Sequence, residues 1–232
     1  TYLTASLLSF YQQMKIYESS KGMMKPYLIE KPLMVFVGSS VNAVRKSSGK
    51  DVSDVVDVLL FINEFIKNKV ESIANIDKIM SFDSGLQTTK GIDIFENKFS
   101  FLENTKLNAS QLFEDILKII FNASSGMLHL ENLKGVDGEI ALKIGENDHF
   151  GVINVGDSDK LVKICESNGI TVSSRDFSSS LFKTINDTTS NLNILIGSKK
   201  FSEGWSSWRV STMGLMNIGK KEGSQIIQLF GR

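Results

Sequence analysis

Two loops carry the residue types that suit a phosphate: Gly38-Ser39-Ser40 and Gly197-Ser198-Lys199-Lys200. Each follows a short apolar run that ends in glycine. Small residues let backbone N–H groups approach a phosphate closely, and the second loop adds two lysines. The same residues would equally form a plain strand-ending turn with solvated lysines, so the loops alone leave both readings open. Other chemistries are poorly supplied. The stretch SSGKD, residues 47–51, imitates the tail of a nucleotide-binding P-loop, but Val44 stands where its first glycine is required and Asp51 follows Lys50 in place of Ser or Thr. His129 and His149 lie in a strand-like stretch and a turn with no motif around them, which suits core or surface roles. Cys165 lies on the apolar face of a short helix and reads as a small core residue. With only two histidines beside it, it cannot build a Cys/His zinc site, and no metal site is expected.

Elements of a definite kind must position these loops. Near the start, Leu7, Leu8, Phe10, Tyr11, Met14 and Tyr17 recur at the spacing of one helical face. After Pro32, residues 33–37 are apolar without alternation and Gly38 breaks the run, the pattern of a strand buried on both faces. Helical periodicity fills residues 51–68, 70–80 and 108–121, with Asn108 or Ser110 able to cap the last. A loop is expected over 81–91, and the stretch 51–121 as a whole reads as a helical insertion. Beyond Gly126 the pattern predicts strands at 127–133, 138–145 and 150–157, a helix at 159–167, a strand at 170–174, a helix at 178–187, strands at 192–198 and 210–217, and a helix beginning at 223. Strands alternating with helices predict a parallel α/β sheet.

Composition bounds the partners. At 41% hydrophobic and 22% charged, 232 residues bury a substantial core as one large domain, or one domain with an insertion. Lys+Arg and Asp+Glu both number 26, so attraction to a polyanion has to come from a local cluster. The tail is such a region: Lys199, Lys200, Arg209, Lys220, Lys221 and Arg232 stand against Glu203 and Glu222. A single cysteine excludes an internal disulfide, and a reducing cytoplasm is the expected compartment. No apolar run approaches the roughly 18 residues that span a bilayer, and the N-terminus lacks the features of a signal peptide. The chain starts without Met and stops on Gly231-Arg232 directly after an apolar run, so both ends read as excision points from a larger protein.

The ordered combination is more specific than any one loop. KPLMVFVGSS, then ILIGSKKFSEGW, then QIIQLFGR resembles motifs IV, V and VI of superfamily 2 DEAD/DEAH-box helicases. The wording from Phe201 to Arg232 is similar above all to the restriction (Res) subunit of type III restriction enzymes. Motif VI of that group runs Gln-x-x-Gly-Arg-x-x-Arg, and Gln228, Gly231 and Arg232 match its first part.

The resemblance implies the second RecA-like motor domain, a helicase C-terminal domain spanning 1–232. Its fold would be a RecA-like parallel sheet flanked by helices, of the P-loop NTPase type, with the mainly helical insertion at 51–121. It implies ATP and Mg2+ as cofactors, bound mainly by a first RecA-like domain of the same protein that carries the P-loop. DNA and a methyltransferase subunit would be further partners, with no membrane. Arg232 and Gln228 would be catalytic. Glu203, Gly204, Ser206 and Gly231 would lie on the ATP side, although many relatives have Asp where this chain has Ser206. Gly38, Ser39, Ser198, Lys199 and Lys200 would contact nucleic-acid phosphates, and Trp205 and Trp208 would either stack on a base or pack the motif V loop. The fragment alone would neither hydrolyse ATP nor cut DNA. The alternative reading is a non-catalytic α/β docking module for nucleic acid or protein on a helicase-like scaffold.

Overall fold

The computed structural model describes residues 1–38, 45–47, 50–198 and 206–216. Apolar continuity decides its centre. β1 (Leu33–Gly38) is buried at every position, and β8 (Ile194–Ser198) runs parallel beside it, with Met34 opposite Ile194 and Gly38 opposite Ser198. Strands of this kind need cover on both faces. β9 (Val210–Leu215) pairs with the other side of β1, also parallel. Beyond β8 lie β6 (Gly151–Asn154), β5 (Glu139–Ile144), β4 (Leu128–Leu133) and β7 (Thr171–Arg175). Among the described residues the sheet has seven strands in the order β7-β4-β5-β6-β8-β1-β9.

The sheet is mixed, which corrects the expectation of an all-parallel one: β5 runs antiparallel to both β4 and β6. The connectors 134–138 and 145–150 explain this, because a parallel neighbour needs a crossover of about a dozen residues or more. Gly138 makes the first connector possible. Its φ is +75°, and an added Cβ would lie 2.0 Å from the Val155 carbonyl oxygen.

 At φ +75° the residue occupies the left-handed region that side chains other than glycine's rarely adopt.

One face of the sheet is covered by helices. α1 (Tyr2–Met24) buries Leu7, Leu8, Phe10, Tyr11 and Met14 of its expected stripe, with Tyr17 half-buried. α2 (Asp54–Lys67), capped by the Ser53 hydroxyl, lies on β1, β4 and β8. α3 (Lys69–Met80), α4 (Ser100–Thr105) and α5 (Ala109–Phe121) pack with α1, and α6 (Ser158–Ser167) joins β6 to β7. Residues 51–121 are thus mainly helical. α5 starts on a capping box: Asn108 accepts from the Gln111 N–H, and Gln111 accepts from the Asn108 N–H. Asp115 ties α5 to α1, accepting from Tyr11 Oη at 2.6 Å and Lys15 Nζ at 3.1 Å. No described helix is long and apolar enough to cross a membrane.

The opposite face is covered by irregular chain. The helix expected over 178–187 is absent there, and the segment forms successive turns. Its amides bond three residues back, Thr184 to Leu181, Ile185 to Phe182 and Asp187 to Thr184, while Ser180 and Thr184 hydroxyls compete for nearby backbone. Ile185 and Leu192 still reach the sheet and bury against Val35, Val37 and Leu195. A fully buried Leu, Ile or Phe stabilises by about 1.5–3 kcal/mol. The helical face, which holds Phe10, Phe113, Phe121 and Phe150, therefore supplies most of the hydrophobic stabilisation.

Candidate functional site

Parallel α/β sheets bind ligands outside the carboxyl ends of strands, where neighbouring connections diverge. β6 and β8 are parallel neighbours, and their onward chains part: β6 leads through α6 to β7, while β8 leads past β1 to β9. The switch point is therefore between β6 and β8. Asn154 is the register partner of Gly197 across it, and Ser198 is the partner of Gly38 on the next strand. The fold thus brings together two glycines and a serine from loops far apart in sequence.

The exit from β1 is tightly specified. A Cβ at position 38 would lie 2.9 Å from Asp54 Cβ and 3.6 Å from the Val55 nitrogen. Asp54 and Ser53 are buried, and Asp54 and Asp57 occupy the first turn of α2. That helix start is already capped and carries negative charge, so it is not a free anion site. Sequence reasoning missed Ser53 and Asp54; the signal was there, a serine followed by acidic residues ahead of an apolar helical stripe.

Other expected site residues fall elsewhere. Ser39, Lys199, Lys200, Glu203, Gly204, Gln228, Gly231 and Arg232 lie outside the described residues, as does Trp205. Ser206 is exposed, and its carbonyl accepts from Asn186 Nδ2 at 3.1 Å. It precedes the amino end of β9, where Val210 pairs with Leu33, so it stands at the other end of the sheet from Gly38 and Ser198. Trp208 is 84% exposed.

Arg209, next to Trp208, is a structural clamp that the sequence did not reveal. It is 3% exposed and donates to three backbone carbonyls: Nε to Lys31 at 2.9 Å, Nη2 to Leu192 at 2.6 Å, and Nη1 to Ile185. It joins the entry of β1, the covering segment and the entry of β9. Burial lowers its pKa, and burial together with the Arg209 charge pushes the neighbouring Lys31 ammonium down to about 8.

A charged cluster lies on the sheet across β4 and β5. Glu131 is 9% exposed and accepts from Lys143 Nζ at 2.8 Å and bonds His149 Nε2 at 2.8 Å, with Arg175 Nη1 at 3.7 Å. Burial alone would raise the Glu131 carboxyl, but the hydrogen bonds and charges of Lys143 and His149 outweigh it and hold it at about 2. His129 Nε2 bonds Ser173 Oγ at 2.8 Å nearby. Both histidines are thus held in polar contacts. Glu139, on the same strand as Lys143, takes the Ser180 hydroxyl at 2.5 Å and the Leu181 N–H at 2.9 Å, which anchors the covering segment.

A shallow recess opens between that segment and the carboxyl ends of β4 and β6, with Asp137, Asn154, Phe182 and Lys183 among its walls. Among the described residues, no group of three or more His, Cys, Asp or Glu could hold a metal ion. Cys165 is buried, and burial with the Glu166 charge pushes its thiol up to about 12, so it is no nucleophile at neutral pH. No protein-family model, no curated protein and no solved structure matches the chain.

Proposed function

We propose that the chain is the second motor domain of an ATP-dependent DNA translocase or helicase of superfamily 2, in a restriction system of the type III kind. The observation that carries this reading is the pairing of Gly38 with Ser198 at the carboxyl ends of adjacent parallel strands, beside the switch point between β6 and β8. Those are the two loops that motifs IV and V would occupy, and in this reading they track the phosphates of DNA. The capped, acidic start of α2 fits a domain that leaves the nucleotide's phosphates mainly to a first motor domain.

Phosphoryl transfer is accelerated mainly by positioning and by stabilising charge on the transferred group. Arg232 stays charged and offers a planar fork to two phosphate oxygens, so it serves as the arginine delivered across the cleft when the two motor domains close. Gln228, from the same motif VI, would act with it at the γ-phosphate. Lys199 and Lys200 add attraction to DNA that does not depend on sequence. ATP and Mg2+ supply the driving reaction, and a methyltransferase subunit is the further partner.

ATP hydrolysis by the intact protein, with and without double-stranded DNA, tests the reading. Wild type should show DNA-stimulated turnover, and Arg232→Ala should lower it about a thousandfold while nucleotide binding persists. Absence of turnover in wild type would move the chain to the docking-module reading; normal turnover in the variant would remove Arg232 from the mechanism.

A further inference from the structure

Beside the helical stretch a groove of about 570 Å³ opens where the ends of α2 and α5 meet the start of α3 and the segment leading into β4. Helical spacing sorts its walls. Phe113 and Leu117 stand four apart on α5, as do Glu114 and Lys118, so each pair shares a face. The first pair is buried and lines the bottom with Ile66, while the second is exposed at the rim. Met127, 55% exposed, adds an apolar wall, and the exposed Lys67 and Lys69 complete the rim.

One of the rim cations is engaged: Lys69 Nζ meets Glu114 Oε1 at 3.0 Å and lies 5.9 Å from the centre of the Phe113 ring. Lys67 and Lys118 have no ion-pair partner among the described residues. Three lysines against one glutamate leave a surplus of positive charge around an apolar bottom, in a chain whose total charge is zero. The fold sets this groove apart from the candidate site. α2 follows the antiparallel pair β2 (Arg45–Ser47) and β3 (Lys50–Val52), and starts at Asp54 beside Gly38. Its 14 residues carry the chain about 21 Å to Lys67. Met127 precedes β4, which points the same way as β6 and β8 because β5 is antiparallel to both its neighbours. The groove therefore lies toward the amino ends of these strands, away from Gly38 and Ser198.

We propose that this groove is the docking site for an acidic segment of a protein partner, which sets an apolar side chain against Met127 and the bottom of the groove and its carboxylates on Lys67 and Lys118. Charge complementarity assigns the occupant. A sugar-phosphate backbone would meet the lysines, but it would also face Glu114 and gain nothing from Ile66, Phe113 and Leu117. A peptide with carboxylates around an apolar anchor uses both parts of the groove, the anchor for affinity and the charges for encounter and selectivity. Docking at the amino ends leaves the loops after β1 and β8 open, so the assignment does not depend on the motor reading.

Selection of a displayed library of short random peptides on the intact protein tests the assignment, followed by binding of synthetic copies of the enriched sequences over a series of potassium chloride concentrations. Enriched peptides should be net acidic and carry Leu, Met, Phe or Trp. Both free lysines lie in the last turn of their helices, so glutamine rather than glutamate replaces them and spares the helix ends a repulsion. The double variant Lys67→Gln with Lys118→Gln should weaken these peptides about fivefold and flatten their salt dependence. Met127→Asp should weaken them by roughly tenfold or more. Lys78→Gln, which alters an exposed lysine of α3 outside the groove, should leave affinity unchanged. Thermal unfolding of each variant separates a lost contact from a lost fold. Failure of any peptide to enrich, basic or uncharged winners, or full affinity in a folded double variant would overturn the proposal. Weaker duplex DNA binding in the double variant, with no acidic peptide enriched, would overturn it in favour of nucleic acid.

Discussion

Glu131 holds a charge where burial alone would remove it, because Lys143 and His149 donate to its carboxylate. Its folded pKa of about 2 lies below the roughly 4.3 of an unfolded glutamate. The contribution is therefore present above about pH 4.3 and is lost as pH falls from there toward 2. Glu131→Gln should cost about 3 kcal/mol at neutral pH and flatten the stability curve across that acid window. Urea unfolding at a series of pH values measures both; a variant whose curve keeps the wild-type acid slope would show that another carboxylate is responsible. This polar face was legible in part. Alternation put His129 with Glu131 on one face of their strand and Glu139 with Lys143 on one face of theirs, and the antiparallel register, His129 opposite Lys143, joins the two. Their pairing was not legible, since His149 arrives from a connector and Arg175 from a different strand.

Among the elements, the segment over 178–192 depends on two anchors, Glu139 at its start and Arg209 at its end. Arg209→Met would leave the carbonyls of Lys31, Ile185 and Leu192 without their donor and should destabilise by about 3 kcal/mol. Arg209→Lys should recover little of that, because one ammonium cannot reproduce a planar fork aimed at three carbonyls. Equilibrium urea unfolding distinguishes the cases, and a loss below about 1 kcal/mol in Arg209→Met would rule out the clamp. The helix expected at 178–187 failed for a related reason. Its apolar spacing was adequate, but serine, threonine and carboxylate groups offered its amides other partners.

For the whole molecule, the two covers of the sheet differ in kind. Packed helices bury one face, and turns with few apolar anchors bury part of the other. Native-state hydrogen exchange should find the amides of β1, β8 and α2 protected longest, with residues 178–190 opening at much lower free energy. Equal protection of the two regions would mean that the covering segment unfolds only with the core. Such an asymmetry matters to the proposed motor, because the segment adjoins both the recess at the carboxyl ends and the Arg209 anchor before β9.

Local pattern was enough to determine β1 and β8 as apolar runs broken by glycine, a cap at the start of α5, and the positions of strands β4 to β9 with α6 among them. These depend on neighbours in sequence: periodicity, capping side chains and backbone freedom. The direction of β5 was available too, in connectors too short for a crossover. Only the tertiary structure set Gly38 beside Ser198, Asp54 against Gly38, and Arg209 between three distant carbonyls. Each of those joins residues far apart in the chain, and their meeting depends on strand order and packing, which no local spacing encodes.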